Sequence, residues 1–123
     1  EAFIKANSRL IYEIIYNLID NAIRYSNNDS SIEVSTYTDV HHVYLKVKDN
    51  GIGIPLEDQS RIFERFYRVD KSHSRATGGT GLGLAIVKHV LMQHGAHIEV
   101  DSKENQGSTF IAVFPKERLY RMH

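Results

Sequence analysis

Residues 43–55, which read Val-Tyr-Leu-Lys-Val-Lys-Asp-Asn-Gly-Ile-Gly-Ile-Pro, decide the fold of this chain. Apolar and polar residues alternate up to Lys48, which predicts a strand with one buried face. Asp49 continues the alternation, so its carboxylate is expected on the apolar side of the sheet, where it needs a hydrogen-bond donor. Asp-Asn-Gly is also a strong hairpin signal. Against a hairpin, residues 52–55 make a poor return strand, and at this point both interpretations stay open.

A long amphipathic helix is predicted ahead of this strand, at residues 7–25. Apolar residues recur there at three- and four-residue spacing, and Asn7 or Ser8 can cap the start. A polar stripe within an arc of roughly 100° borders the apolar stripe. Its members are Glu13, Asn17, Asp20, Asn21 and Arg24. The two asparagines lie one turn apart and offer amide oxygens to a hard cation such as Mg²⁺. An ordinary solvated helix face is the alternative.

The remaining pattern predicts an α/β protein, a two-layer sandwich with helices on one face of a mixed sheet of about five strands. One strand is expected near the N-terminus. Further strands are expected at residues 32–37, 43–48, 96–100 and 109–114, and a second helix at residues 84–94, which ends before Gly95. A glycine-rich stretch at residues 49–83 is interrupted only by a short helical patch at residues 57–66. A loop this long in a compact domain is usually functional.

The run Gly-Gly-Thr-Gly-Leu-Gly at residues 78–83 lies directly before the second helix. Glycines let backbone amides approach a phosphate, and a helix N-terminus favours an anion. The dinucleotide fingerprint does not fit, because Leu84 stands in place of its third glycine, and Leu84-Ala85 replaces the Lys-Ser/Thr of a P-loop. A flexible loop is the alternative. Phe63 and Phe66, spaced i and i+3, are expected to pack in the core.

The composition of the chain excludes several kinds of protein and of site. A length of 123 residues with 41% apolar and 24% charged residues suits one globular domain. Fifteen basic residues balance 15 acidic ones, so the net charge gives no reason to expect nucleic acid as a partner. The absence of cysteine excludes disulfides and thiolate zinc sites. No apolar run approaches the ~20 residues that span a bilayer. The start Glu-Ala-Phe-Ile lacks Met, and we interpret the chain as a fragment of a longer protein.

Taken together, five segments resemble the motifs of bacterial sensor histidine kinases. Residues 17–25 resemble the asparagine box, residues 49–55 the first glycine box, residues 62–70 the phenylalanine box, residues 79–86 the second glycine box, and residues 107–109 the last short one. Their order and spacing agree across nearly the whole chain. One such motif would be weak, whereas five in sequence are highly specific.

The resemblance implies the Bergerat ATP-binding fold, shared with DNA gyrase and the heat-shock ATPase chaperones. Asn17 and Asn21 would hold Mg²⁺ on the triphosphate, Asp49 would bind the adenine amino group, and Arg68 would face the phosphates. Asn17, Asn21 and Arg68 are thus the candidate catalytic residues, and residues 69–79 would form a mobile lid over ATP. The full set of implied nucleotide contacts is Asn17, Asn21, Arg24, Tyr25, Asp49, Gly51, Gly53, Ile54, Ile62, Gly79, Thr80, Gly81, Leu82, Gly83, Leu84 and Thr109. Arg24 stands where the family usually has Lys.

The implied reaction is transfer of the ATP γ-phosphoryl group to a histidine of a separate dimerisation domain. That acceptor histidine is followed in the family by an acid and Arg-Thr-Pro. None of the seven histidines here has this context; they are His41, His42, His73, His89, His94, His97 and His123. Glu13 aligns with the water-activating glutamate of the ATPase relatives, but the position varies in histidine kinases.

The resemblance also implies partners and location. The expected partners are the dimerisation domain and a response regulator, with no nucleic acid. The isolated domain is expected to be a monomer, the full protein a homodimer, and the domain the cytoplasmic part of a membrane-bound sensor. An ATP-hydrolysing module of the same fold is one alternative, and the phenylalanine box argues against it. A non-catalytic interaction module is another, and the intact asparagines, Asp49 and glycine boxes argue against that.

Overall fold

The structure, a computed structural model, describes residues 8–25, 31–67 and 83–116. In these segments two α-helices pack on one face of a four-stranded sheet, which confirms the predicted two-layer α/β sandwich. Helix α1 spans Ser8–Arg24 and helix α2 spans Gly83–Gln93; the strands are β1 (Ile32–Thr38), β2 (His42–Asp49), β3 (His97–Lys103) and β4 (Gly107–Pro115). Neither of these helices is long and apolar enough to cross a bilayer.

The strand order is β1-β2-β4-β3, and every described neighbouring pair runs antiparallel. The described residues therefore form an antiparallel sheet of four strands and not the predicted mixed sheet of about five. The strand expected near the N-terminus lies outside the described residues. The hairpin interpretation at Asp49 is wrong, because β2 pairs on its two sides with β1 and with β4, which comes from the far end of the chain. At its end Asp49 lies opposite Ser108 of β4.

The core lies between the helices and the sheet. Ile14 and Leu18 of α1 and Val87 and Leu91 of α2 are fully buried there. They pack against alternate residues of the two central strands, which are Val43, Leu45, Val47, Phe110, Ala112 and Phe114. Strand alternation and helical spacing therefore set the buried faces as the sequence predicted.

The register of β2 is fixed at its start by Asp39, in the connection from β1. The Asp39 carboxylate accepts the backbone N–H groups of His41 and His42 and the hydroxyl of Tyr44, at 2.8, 2.7 and 2.6 Å. These bonds, led by that of the Tyr44 hydroxyl, lower the pKa of Asp39 to about 2, and the same pairing raises the pKa of Tyr44 to about 12. A shift of β2 by one residue would move the Asp49 side chain to the opposite face of the sheet. The hydrogen bonds of Asp39 therefore help to keep the Asp49 side chain on the buried face.

The helical patch predicted at residues 57–66 is not formed. A single 3₁₀ turn, Leu56–Asp58, is followed by further turns, and Phe66 takes a left-handed φ of 68°. Helical spacing therefore does not apply to the two phenylalanines. Phe63 packs against the core and meets the Phe110 ring edge-on, whereas Phe66 is 63% exposed, so the expected packing of Phe66 is wrong.

Candidate functional site

A buried carboxylate ends the central strand. Asp49 is 6% exposed and continues the buried row of β2, as its alternation predicted. Burial raises the pKa of the Asp49 carboxyl because the ionised form loses its water, while the backbone N–H groups of Gly51 and Ser108 act in the opposite direction. Gly51 donates to Oδ1 at 2.9 Å. An ionised carboxylate has about four acceptor positions, so Asp49 can still accept a hydrogen bond from a ligand.

Two glycines allow backbone to close in around this strand end. Gly107 has a φ of 116°, and a methyl group there would lie 2.2 Å from the carbonyl oxygen of Asp49. Gly53 has a φ of 72°, and a methyl group there would lie 2.0 Å from the carbonyl oxygen of Lys103. Both positions therefore exclude a side chain on conformation and on space. The loop at residues 50–55 consequently lies directly against the β3–β4 hairpin.

Ile52 ties this loop to the structure on both sides. Its N–H donates to the carbonyl oxygen of Tyr25, at the end of α1, at 3.1 Å. Its own carbonyl oxygen accepts the N–H of Asn105, in the β3–β4 turn, at 2.6 Å. Tyr25, predicted to line the site, is therefore joined through the glycine-rich loop to the hairpin that carries Ser108.

Asn17 presents an amide oxygen to the start of α2. Its Nδ2 donates to the carbonyl oxygen of Glu13 at 2.8 Å. Its Oδ1 is the atom near Gly83, 3.0 Å from the position that a Cβ on that glycine would take. Asn21 lies one turn further along α1 and is half-buried, as Asn17 is. Amide oxygens are suitable ligands for Mg²⁺, and within the described segments no group of three His, Asp or Glu side chains could hold a metal.

The rest of the polar stripe on α1 is half-buried along its length, which is more burial than an ordinary solvated face would give. Arg24 donates through Nε to Asp20 at 2.7 Å, so its guanidinium is held along the helix at the i, i+4 spacing. The stripe therefore forms a wall beside the core, between Glu13 and the end of α1.

The apolar residues predicted for the site belong to the hydrophobic core or pack against it. Ile54 and Ile62 are buried members of the core, and Leu84 packs against it at the start of α2. Gly51 and Gly53 are also buried. Leu84 follows directly on Gly83, so the N-terminus of α2 lies against the same core cluster that contains Ile54 and Ile62.

The sequence argument named Thr109 as a nucleotide contact but not its neighbour Ser108, which the structure places beside Asp49. Ser108 is the cross-strand partner of Asp49 and is 7% exposed, on the core face. Alternation puts Thr109 on the opposite face of β4, away from Asp49. The signal was present in the sequence, because Phe110, Ala112 and Phe114 mark the buried face and Ser108 shares their parity.

Several predicted site residues lie outside the described segments. These are Arg68, Gly79, Thr80, Gly81, Leu82 and the proposed lid at residues 69–79. Their roles stay predictions. The residues that the structure does bring together are Asn17 with Gly83, and Asp49 with Gly51, Gly107 and Ser108.

Residues 6–118 match the family model described as histidine kinase-, DNA gyrase B-, and HSP90-like ATPase. The chain belongs to this family. It is 50% identical to the sensor-like histidine kinase SenX3 of Mycolicibacterium smegmatis, over 87% of this chain and 28% of that protein. It is 47% identical to the phosphate regulon sensor protein PhoR of Pseudomonas aeruginosa, over 80% of this chain and 22% of that protein.

Solved structures agree with this family assignment. The mycobacterial sensor histidine kinase MprB aligns with a TM-score of 0.78 at 34% identity, covering 89% of this chain and 74% of that one. The catalytic domain of the histidine kinase ThkA aligns with a TM-score of 0.75 at 30% identity, covering 90% of this chain and 70% of that one. The resemblance to sensor histidine kinases that the five motifs predicted is thus confirmed.

Replacing Asp49 by Asn should stabilise the ligand-free fold at neutral pH, and the gain should shrink as the pH falls. The unfolded chain has an Asp pKa of about 4, and burial raises the folded value above it. The wild type therefore loses stability as the pH rises through the folded pKa, whereas Asn has no charge to bury. Melting temperatures measured from about pH 4 to about pH 8 check this.

The control is Asp101→Asn, which removes one negative charge from an exposed position on β3. The difference in melting temperature between Asp49→Asn and the wild type should widen with rising pH. A difference that does not depend on pH, or an Asp49→Asn variant less stable than the wild type at pH 7, would contradict the account of a desolvated carboxylate.

Proposed function

We propose that this chain binds ATP together with Mg²⁺ and transfers the γ-phosphoryl group to a histidine of a separate dimerisation domain, as the catalytic part of a sensor histidine kinase. The observation that carries the proposal is Asp49, a carboxylate buried at the end of the central strand with acceptor positions still available. Membership of an ATPase family makes the adenine amino group the fitting donor. A donor placed there offsets part of the desolvation penalty.

At the base end of the site, the adenine ring would lie on the apolar surface of Ile54 and Ile62, with its amino group directed to Asp49. Gly53 lets the backbone of the loop pack directly on Lys103, which fixes the loop at this end of the site. Ser108 adds a second polar atom beside the carboxylate. The base end is therefore built from β2, β4 and the first glycine-rich loop.

At the phosphate end, the oxygens of Asn17 and Asn21 would hold Mg²⁺, which neutralises charge on the triphosphate when it is bound. The N-terminus of α2 at Gly83 provides N–H groups and a favourable field for an anion. Arg24, Leu84 and Thr80 join this end in the proposal, together with Arg68 and the glycines at residues 79–82. The two ends are linked by the hydrogen bond from Ile52 to Tyr25.

In the proposed reaction the bond between the γ-phosphorus and the β–γ bridging oxygen breaks, a P–N bond to the acceptor imidazole forms, and ADP leaves. The chain's own groups position the nucleotide and stabilise its charge, which is where most protein assistance to phosphoryl transfer lies. A response regulator would take the phosphoryl group from the acceptor histidine. In the parent protein this domain would be the cytoplasmic portion of a membrane-bound sensor that acts as a homodimer.

The chain should phosphorylate a supplied phosphoacceptor domain of a sensor histidine kinase and should not label itself. A histidine nitrogen has to come within ~3–3.5 Å of the γ-phosphorus in line with the leaving oxygen, and none of the seven histidines lies in an acceptor context. Radiolabelled ATP is incubated with the chain alone, with the acceptor, and with an acceptor whose histidine is replaced by Ala. Transfer should be slow because the two parts are not tethered.

Acid-labile label on the intact acceptor alone is the expected result. Acid-labile label on the chain by itself would overturn the assignment of a separate acceptor. Rapid phosphate release that does not depend on the acceptor would instead support an ATP-hydrolysing module.

Asn21→Ala should weaken ATP binding in the presence of Mg²⁺ by roughly tenfold, or about 1.4 kcal/mol, and far less in EDTA. In this proposal the amide oxygen of Asn21 acts on the nucleotide through the metal. Without metal, removing this oxygen should therefore change the affinity for ATP little. Calorimetric titration in both buffers measures the two losses. Gln93→Ala, an exposed amide at the end of α2, is the control. An equal loss in the two buffers would show that Asn21 only supports the helix.

A further inference from the structure

Ser102 of β3 joins the loop at residues 50–55 to the β3–β4 hairpin through one hydroxyl group. Its Oγ accepts the backbone N–H of Ile54 at 2.8 Å and donates to the carbonyl oxygen of Gly107 at 3.0 Å. The same Oγ lies 2.7 Å from Oγ of Ser108. A serine hydroxyl has one hydrogen and two lone pairs. The carbonyl oxygen of Gly107 can only accept, so we assign the hydrogen of Ser102 to Gly107 and the hydrogen in the contact between the two serines to Ser108.

This donor count fixes what Ser108 offers to its surroundings. Its only hydrogen is directed to Ser102, so its Oγ presents lone pairs alone. Ser108 is the cross-strand partner of Asp49, and both are buried on the core face. A carboxylate and a hydroxyl oxygen whose hydrogen is directed elsewhere therefore occupy neighbouring cross-strand positions on one face of the sheet. Such a pair favours a ligand group that donates and disfavours one that only accepts.

The side chain of Gln59 provides a second connection between the loop and Ser102. Nε2 of Gln59 donates to the carbonyl oxygens of Ile54 and Ser102, both at 3.0 Å. The backbone of Gly53 also lies directly on Lys103, next to Ser102. These contacts hold the loop and the hairpin together, so the hydroxyl of Ser102 keeps its partners and the orientation of Ser108 is maintained.

We propose that Ser102 is a positioning residue that sets the base specificity of the nucleotide site, by orienting the Ser108 hydroxyl so that only its lone pairs are presented beside Asp49. The inference rests on the proposed function. The 6-amino group of adenine donates to the paired acceptors, whereas the 6-oxo group of hypoxanthine or guanine meets two acceptors and is repelled. Loss of the Ser102 hydroxyl releases the Ser108 hydrogen, which can then donate to a 6-oxo group.

The experiment measures the affinity of this chain for ATP and for inosine triphosphate, both with Mg²⁺, by calorimetric titration. Inosine triphosphate keeps the sugar and phosphates and replaces only the amino group by an oxo group. Wild type should prefer ATP, and Ser102→Ala should reduce the ATP-to-inosine preference by about fivefold to tenfold, as expected for one hydrogen bond gained and one lost. Ser102→Thr retains the hydroxyl and should restore the preference. Ser60→Ala, an exposed serine, is the control.

A Ser102→Ala variant that loses affinity for both nucleotides equally would overturn this inference and leave the proposed function standing. If that variant does not fold, Ser108→Ala provides the test, since it removes the second acceptor while Ser102 keeps its bonds to Ile54 and Gly107. Its preference for ATP should also fall, and an unchanged preference would overturn the inference. Failure of the wild type to bind ATP would instead overturn the proposed function, and the inference with it.

Discussion

The desolvated carboxylate of Asp49 is the group around which the neighbouring backbone is arranged. Gly51 turns back to donate to the carboxylate, Ser108 lies opposite Asp49 across the sheet, and Gly107 brings β4 against the backbone carbonyl of Asp49 without a side chain between. Burial alone would disfavour an ionised group at this position. The raised pKa of Asp49 is explained if the position is maintained for a ligand that donates a hydrogen bond.

In the proposed function the site has a base end and a phosphate end, and the sheet and the helix layer supply them separately. The carboxylate and its serine partner come from the two central strands. The asparagine oxygen and the first turn of α2 come from the helices. Ile52 connects the two through its hydrogen bonds to Tyr25 and Asn105. Because this connection runs through backbone groups, it depends little on the side chains of the residues that make it.

Local periodicity was enough to predict much of this arrangement. The alternation ending at Asp49 gave its face, and helical spacing gave the polar stripe that contains Asn17, because both depend only on neighbouring residues. What failed depends on distant parts of the chain. The partner of β2 is β4, so the hairpin alternative after Asp49 could be excluded only from the structure. The register of the same pairing places Ser108, and not Thr109, opposite Asp49. The left-handed backbone conformation of Phe66 interrupts the helical spacing of the two phenylalanines, and the local sequence gave no signal for it.

The central claim, that Asp49 is kept buried to recognise adenine, is tested most directly by titrating ATP and inosine triphosphate into wild-type protein and Asp49→Asn. The account predicts that the substitution weakens the binding of ATP by about 1–3 kcal/mol, or roughly fivefold to 150-fold. The affinity for inosine triphosphate should change much less. The two nucleotides share the sugar and the phosphates, so a general loss of structure would lower both affinities. An unchanged affinity of Asp49→Asn for ATP would contradict the account.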